Sequence, residues 1–221
     1  MARPSRRRSN LAKLYFRYSA MNAGKSMALL QVAHNYEEQG MNVVLFTSDL
    51  DNRFGHSNIA SRLGVSRKGL TFTRWTNFYE RLKGGKELFL DDNQVVEEGM
   101  REFLATTAKP IACVLIDEAQ FLDPEQVRQL HRLAHVANIP VIAYGLRSDF
   151  LGEPFPGAAY LLTLADDIEE LKNICTCGRK ATMNVRIDER GERITDGEQI
   201  AIEGTVRYIQ TCGRCFYRDA S

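Results

Sequence analysis

The stretch from Ser19 to Ser26 is the part of the chain whose residue types point most directly to chemistry. It reads Ser-Ala-Met-Asn-Ala-Gly-Lys-Ser and has the Gly-Lys-Ser ending of a phosphate-binding loop. In such loops, backbone N–H groups at a helix N-terminus face an anion and the helix dipole adds to the attraction. Lys25 is placed to reach terminal phosphates, and the Ser26 hydroxyl is placed to ligate Mg²⁺. Because Ser19 replaces the usual first glycine, an incidental Gly-Lys-Ser in a strand–turn–helix is the alternative.

Two carboxylates, Asp117 and Glu118, directly follow an apolar run that ends at Ile116. A carboxylate at the carboxyl end of a parallel strand faces the same edge of the sheet as the phosphate loop. Asp117 therefore fits the role of holding Mg²⁺, and Glu118 that of orienting water or accepting a proton from a hydroxyl substrate. The alternative is an acid that caps the next helix, for which Asp123 is better placed.

Four of the five cysteines form two close pairs, Cys175-x-Cys177 and Cys212-x-x-Cys215. Four thiolates suit a closed tetrahedral zinc site with no open position, so we predict structural zinc without a catalytic role. A redox pair or unrelated free thiols are the alternatives. An odd cysteine count and two close pairs argue against a disulfide framework. Cys113 lies in an apolar run and is predicted to be a small core residue.

Apolar runs and helical patterns alternate along the first 165 or so residues and would position these groups. Short runs rich in Val, Ile and Leu predict strands buried on both faces, as in a parallel sheet, at 42–47, 113–116 and 141–144, and residues 14–18 before the phosphate loop are predicted to form a further strand. The phosphate loop is followed by apolar residues at helical spacing, Leu29, Val32, Ala33 and Tyr36. The pattern predicts a doubly wound α/β domain.

A second helix is predicted to begin after Asp123, with Pro124 at its first position and Gln126 completing a capping box. Residues 48–109 are less regular. We expect loops there, an edge strand near 70–75 and a helix near 95–105.

The chain divides into a basic leader at 1–10, the α/β domain at 11–171 and a smaller domain at 172–221, predicted to be built around the metal with no helical period. The leader lacks the apolar stretch of a secretory signal, so we expect a disordered tail. No run approaches the ~20 apolar residues of a membrane helix. A net charge of +1 gives no overall attraction to nucleic acid or membrane. We therefore expect neither as a partner and place the protein in the cytoplasm.

In order and spacing, these motifs resemble those of the type II thymidine kinases, a family that has a phosphate loop and binds zinc. The resemblance is strongest to the proteobacterial branch of this family. The resemblance runs from Lys13 to about Tyr217. Beyond the motifs above it rests on Asp51-Asn52-Arg53, residues 144–150, residues 154–157 and Tyr208. It implies a RecA-like parallel sheet with a small C-terminal zinc-binding lasso domain. It also implies transfer of the γ-phosphoryl of ATP to the 5′-hydroxyl of thymidine.

The resemblance further implies a role for individual residues. Glu118 matches the general base, Arg53 a phosphate contact, and Asp51 a support for the metal or its waters. ATP contacts are implied for Ser19, Ala20, Met21, Asn22, Ala23, Gly24, Lys25, Ser26, Arg53, Asp117, Glu118, Ala119 and Gln120. The apolar thymine pocket corresponds to Met21, Phe121, Leu146, Phe150, Phe155 and Tyr208, for which ordinary core packing is the alternative. Mg²⁺ would be held by Ser26 and Asp117, and Zn²⁺ by Cys175, Cys177, Cys212 and Cys215.

The implied partners are thymidine, ATP, the feedback inhibitor thymidine triphosphate and further copies of the chain in a homotetramer. Two departures from the family pattern stand out. Ser19 and Ala20 replace the Gly-Pro that opens the loop in many members, and Cys175-x-Cys177 is one residue shorter than the usual pair.

Two other functions fit parts of the sequence. A single-lobed ATPase could bind nucleic acid through its zinc module, because Asp-Glu-Ala-Gln at 117–120 is also a helicase signature. Such motors generally need two α/β lobes, and this chain has room for one. A non-enzymatic zinc-ribbon protein with a decayed phosphate loop is the second, but Lys25, Ser26, Asp117 and Glu118 are all intact.

Overall fold

The computed structural model describes residues 11–51, 55, 57–82, 110–200 and 207–218. At its centre lies a sheet of six parallel strands in the order β5-β2-β6-β7-β1-β8. These strands are β1 (Leu14–Ser19), β2 (Asn42–Ser48), β5 (Leu70–Phe72), β6 (Ile111–Ile116), β7 (Val141–Leu146) and β8 (Asp167–Glu170). The parallel order confirms the predicted α/β class.

The helices cover both faces of this sheet. They are α1 (Lys25–Glu38), α2 (Phe78–Leu82), α3 (Pro124–Val136) and α4 (Pro156–Leu164). The predicted capping box of α3 is present, because Gln126 N–H donates to Asp123 Oδ1 over 2.7 Å and Asp123 N–H donates to Gln126 Oε1 over 3.1 Å. Both terminal N–H groups are thereby satisfied, which fixes the start of α3.

Alternate residues of the central strands enter two hydrophobic clusters. Val44 and Phe46 of β2 pack with α3 and α4, whereas Val43 and Leu45 pack with α1. This is the alternation expected of strands buried on both faces. Cys113 is fully buried in the second cluster, as predicted.

The segment after Glu170 has its own antiparallel sheet, in the order β10-β9-β11. It consists of β9 (Met183–Ile187), β10 (Arg193–Ile194) and β11 (Arg207–Thr211), and the helix α5 (Gly213–Arg218) follows. The sequence of this segment shows no helical period, and α5 is compatible with that because its six residues are too few for a period to show. Independence of residues 11–171 and 172–221 as domains stays a prediction.

The region from 48 to 82 contains more structure than expected. A hairpin of β3 (Asn58–Ala60) and β4 (Ser66–Lys68) precedes β5, which is an edge strand of the main sheet as predicted but ends at Phe72. The leader at 1–10, Arg53 and the helix expected near 95–105 lie outside the described residues. Within the described ranges, no helix has the length and apolar character needed to cross a membrane.

Candidate functional site

The phosphate loop joins the carboxyl end of β1 to the start of α1. Gly24 immediately precedes the helix with a φ of 82°, a left-handed conformation that favours glycine. Lys25 is buried, and its ammonium group donates to Ser19 Oγ and to the carbonyl of Ala20, each over 3.2 Å. The serine that replaces the usual glycine therefore supplies an acceptor for the loop lysine.

Asp117 lies at the carboxyl end of β6, where its own N–H pairs with the carbonyl of Phe46 in β2. Burial, together with the charge of Glu118, raises the pKa of Asp117 to about 7, against the opposing effects of the Ser26 hydroxyl, the Glu118 N–H and Lys25. A divalent cation beside this carboxylate would favour its ionised form. The contact between Ser26 and Asp117 thus fits the predicted magnesium site.

Glu118 has a left-handed backbone with a φ of 51°, which is rare for a residue with a side chain. Its carboxylate accepts a hydrogen bond from Gln120 Nε2. The orientation of the Gln120 amide is itself fixed, because Gln120 Oε1 accepts from the N–H of Leu146 over 3.0 Å. Gly145 leaves room for this amide, since a Cβ there would lie 2.8 Å from Gln120 Oε1.

Two cavities open at the carboxyl ends of the strands and meet at Glu118. The phosphate cavity, of about 400 Å³, is lined by residues 21–27 together with Thr47, Asp51, Asn58, Ala60, Ser61, Arg62, Leu63, Asp117, Glu118 and Leu146. The apolar cavity, of about 340 Å³, is lined by Met21, Leu50, Asp51, Arg62, Glu118, Gln120, Phe121, Leu146, Asp149, Phe150, Phe155, Asn184, Gln199, Ile200, Arg207 and Tyr208. Five residues face both cavities: Met21, Asp51, Arg62, Glu118 and Leu146.

The structure distributes the sequence-predicted residues unevenly over these cavities. All six residues predicted for the thymine pocket line the apolar cavity. Among the residues predicted to contact ATP, Ser19, Ala20, Ala119 and Gln120 do not line the phosphate cavity. Ala20 and Ala119 are buried, and Gln120 faces the apolar cavity instead.

Met21 is held at both of its peptide groups by asparagines from the C-terminal segment. Asn184 Oδ1 accepts from the N–H of Met21 over 2.8 Å, and Asn173 Nδ2 donates to the Met21 carbonyl over 2.7 Å. Asn184 is anchored in turn by a 3.2 Å bond from its Nδ2 to the carbonyl of Ser148. Sequence reasoning missed both asparagines, because an isolated Asn in a polar segment carries no spacing signal.

Arg186, which sequence reasoning also missed, does not line the apolar cavity but contacts three residues that do, Phe150, Tyr208 and Gln199. Its guanidinium lies 3.7 Å from the ring centroid of Phe150, and Arg186 Nε donates to the hydroxyl of Tyr208 over 2.9 Å. Arg186 Nη2 donates to the carbonyls of Glu198 and Gln199 over 2.9 and 3.3 Å. Elsewhere in the lining, the rings of Phe121 and Phe155 meet edge to face with centroids 5.9 Å apart. One buried cation therefore holds Tyr208 and the chain that leads to Ile200.

The four predicted zinc ligands converge, with their sulfur atoms within 4.8 Å of one another. Cys177 Sγ lies 3.5 Å from the sulfurs of both Cys175 and Cys212, close to the ~3.8 Å separation that tetrahedral bonds of about 2.3 Å imply. Backbone N–H groups of Cys177 and Cys212 lower the pKa of Cys175 to about 6, which favours the thiolate that binds metal. The residues fit a structural zinc ion.

The glycines beside this cluster differ. Gly178, next to Cys177, has a left-handed backbone with a φ of 82°, which favours glycine. Gly213, next to Cys212, instead begins α5 without a positive φ.

Comparison with known proteins identifies similar sequences over nearly the whole chain. The family model described as thymidine kinase matches residues 12–109 and 89–216. The thymidine kinase of Chromobacterium violaceum is 51% identical over 95% of this chain and 100% of its own length. That of Albidiferax ferrireducens is 50% identical over 96% of this chain and 95% of its own length. The thymidine kinase of Idiomarina loihiensis is 51% identical over 91% of this chain and 94% of its own length.

A solved Pif1 helicase from Candida albicans also shows a weak structural likeness. It superposes with a TM-score of 0.40 at 16% identity, over 74% of this chain and 36% of the helicase. A likeness at this level carries no argument about what the chain does.

Proposed function

The chain belongs to the thymidine kinase family, and on that premise we propose that it transfers the γ-phosphoryl group of ATP to the 5′-hydroxyl of thymidine. The observation that supports this most directly is the position of Glu118. Its side chain faces both the phosphate cavity and the apolar cavity, so a carboxylate stands where the two substrates would meet.

The phosphate cavity suits the triphosphate of ATP. Backbone N–H groups at the start of α1 face the phosphates, and Lys25 would exchange its contacts with Ser19 and Ala20 for phosphate oxygens. Mg²⁺, held by Ser26 and Asp117, would supply charge neutralisation between phosphate oxygens. Arg62 adds a cation on the wall shared with the apolar cavity. Arg53 is proposed as a further phosphate contact, and Asp51 as a support for the metal's waters.

The apolar cavity suits a thymine ring. Flat aromatic side chains and a flexible methionine line it, together with the polar residues Asp149, Asn184 and Gln199. The lasso segment is the polar stretch between the two cysteine pairs, residues 178–211. Gln199 Nε2 in this segment donates to Asp149 Oδ2 over 3.0 Å and so connects it to the loop that follows β7. Closure of that segment over the base would exclude water and limit ATP hydrolysis.

Glu118 is proposed to accept the proton of the 5′-hydroxyl as that oxygen attacks the γ-phosphorus. The bond from the γ-phosphorus to the β,γ-bridging oxygen breaks in the same step, and ADP leaves. Gln120 acts through Glu118, because its amide donates to the carboxylate and is itself held by Leu146 N–H. The remaining contribution is positioning and charge stabilisation, since phosphoryl transfer leaves little covalent chemistry to side chains.

Three further properties are proposed on the family premise. The protein works in the cytoplasm, assembles as a homotetramer and is inhibited by its end product thymidine triphosphate. Zinc at the four cysteines holds together the two ends of the lasso segment and takes no part in the chemistry.

A nucleoside panel with ATP and Mg²⁺ tests the proposed reaction. We expect phosphorylation of thymidine and little turnover of ribonucleosides or purine nucleosides, measured as monophosphate formed. The nucleic-acid ATPase alternative predicts the opposite pattern, in which single-stranded DNA stimulates ATP hydrolysis and radiolabelled thymidine does not bind. That outcome would overturn the kinase proposal.

A further inference from the structure

A cluster of three potential metal ligands lies away from both cavities and from the four cysteines. His131 and His135 are one turn apart on α3, and Asp166 lies between α4 and β8. One ligand atom from each of the three lies within 4.8 Å of the others. His135 Nε2 is 3.0 and 3.1 Å from the two carboxylate oxygens of Asp166, and the two imidazole centroids are 4.4 Å apart.

The three side chains are carried by well-fixed parts of the fold. The N–H of Leu14, in β1, donates to Asp166 Oδ2 over 2.8 Å, and the N–H of Asp166 donates back to the Leu14 carbonyl over 2.9 Å. Two hydrogen bonds therefore hold both the backbone and the carboxylate of Asp166. The histidines share one face of a helix whose start is fixed by its capping box. A ligand set with such support needs little rearrangement to close around an ion.

The chemistry of the ligand set selects the kind of ion. Two imidazoles and one carboxylate favour Zn²⁺, Ni²⁺ or Cu²⁺ over Mg²⁺ or Ca²⁺, which prefer oxygen-rich sites. Because none of the three residues is buried, water has access to the positions that the protein leaves open. Three protein ligands with open positions distinguish this cluster from the closed four-cysteine site.

We propose that His131, His135 and Asp166 form a second transition-metal site, which joins the last turns of α3 to the amino-terminal edge of the central sheet. Leu14 begins β1, whereas the phosphate loop leaves the other end of that strand after Ser19. The site therefore lies at the sheet edge opposite the cavities. An ion bound there stabilises the fold by binding only the folded state, and it leaves the chemical step unchanged.

The competing interpretation is an ordinary ion pair between His135 and Asp166, with His131 beside it by chance. The side chains of the pair are 35% and 25% exposed, a range in which such pairs contribute little to stability. An ion pair needs no His131, whereas a metal site does. His131 is therefore the residue that separates the two interpretations.

Nickel titration of the full-length, tag-free protein with its cysteine site already loaded with zinc tests the proposal. Calorimetry should detect one nickel bound per chain, and saturating nickel should raise the melting temperature. His131→Ala, His135→Ala and Asp166→Asn should each weaken nickel binding by about tenfold or more. The matched control is His34→Ala, which removes another exposed helical histidine with an acidic partner four residues on, Glu38.

Equal nickel affinity in the wild type and His131→Ala would overturn the proposal, as would an equal loss in His34→Ala. Circular dichroism before titration checks folding, and His131→Gln provides a polar replacement of similar size if the alanine variant unfolds. Thymidine phosphorylation should be the same with and without bound nickel in the wild type. Loss of nickel binding in the His131 variants with activity retained supports the second site whatever the nucleoside specificity.

Discussion

The phosphate cavity and the apolar cavity share a wall but are assembled in different ways. Seven consecutive residues, 21–27, form one side of the phosphate cavity. The apolar cavity draws its lining from positions between Met21 and Tyr208, on both sheets and the loops between them. The first depends mostly on local sequence and a helix N-terminus, and the second on the docking of the C-terminal segment onto the main sheet. Variants that affect one cavity and leave the other intact test this division.

The largest effect is expected from Glu118→Gln, at the wall that both cavities share. The amide keeps the shape of the side chain but cannot accept the hydroxyl proton. We expect kcat to fall by about 10²–10⁴-fold while binding of ATP and thymidine is retained. Single-turnover kinetics and equilibrium binding of each substrate measure the two quantities. A variant with more than half of the wild-type kcat would remove Glu118 from the mechanism.

Lys25→Ala should damage only the phosphate side. Loss of a buried cation that contacts phosphate oxygens is expected to lower kcat/KM for ATP by about 10²–10³-fold. Thymidine binding, followed by calorimetry in the absence of ATP, should change little because Lys25 does not line the apolar cavity. Equal loss of affinity for both substrates would show that the two cavities are not separable.

Arg186→Met should damage only the apolar side. The variant loses the hydrogen bonds to Tyr208 and to the Glu198 carbonyl, so we expect KM for thymidine to rise by about tenfold or more with little change in KM for ATP. Arg193→Met is the matched control. Arg193 also lies over a ring, 4.3 Å from the centroid of Phe216, but Phe216 lines neither cavity, whereas the ring partners of Arg186, Phe150 and Tyr208, line the apolar cavity. A similar rise in both variants would assign the effect to general loosening of the C-terminal sheet.

Thymidine triphosphate should engage both cavities in one molecule. With its base in the apolar cavity and its phosphates directed toward Lys25, it avoids part of the entropy cost of binding two ligands. We expect inhibition to strengthen from mono- to di- to triphosphate, by about tenfold overall, and to compete with thymidine. Lys25→Ala should abolish the difference among the three nucleotides. Equal potency in the wild type would contradict the two-cavity picture and leave the kinase activity standing.

The smallest effect concerns stability and Asp117. Its pKa is about 7 in the folded protein and 3.8 when unperturbed, so the folded state binds more protons between these values. Stability of the substrate-free protein should therefore fall as pH rises from about 4 to about 7 and remain lower above that.

Asp117→Asn removes this dependence, so at pH 8 without Mg²⁺ or ATP the variant should melt several degrees above the wild type, since about 1 kcal/mol corresponds to ~2–4 °C. Glu125→Gln, which changes an exposed carboxylate, should melt like the wild type. A lower melting temperature for Asp117→Asn than for the wild type at pH 8 would contradict this, because it would show that the contacts of the ionised Asp117 carboxylate outweigh the cost of burying it.

Local sequence signals predicted the phosphate side of the molecule, whereas only the family resemblance predicted the apolar side, and the reasons are physical. Strands buried on both faces, the capping box at Asp123 and the Gly24-Lys25-Ser26 motif are local signals, and each is present in the structure. The six residues predicted for the thymine pocket were identified through family resemblance, because aromatic residues scattered along a chain do not reveal that they converge.

Other features had no local signal. Arg186, Asn173 and Asn184 act through single long-range hydrogen bonds, which leave no periodic pattern in the sequence. The hairpin of β3 and β4 and the short helix α5 involve too few residues for periodicity.

The double hold on Met21 has a consequence for protein engineering. Asn173 and Asn184 satisfy the carbonyl and the N–H of one loop residue from a segment more than a hundred positions away. A chimaera that exchanges the cysteine-bearing segment between two kinases must therefore carry hydrogen-bonding side chains at both positions. Otherwise the N–H and the carbonyl of Met21 in the phosphate loop lose these hydrogen bonds. A grafted segment must therefore match the recipient protein at these two asparagines as well as at the covalent junction near Leu171.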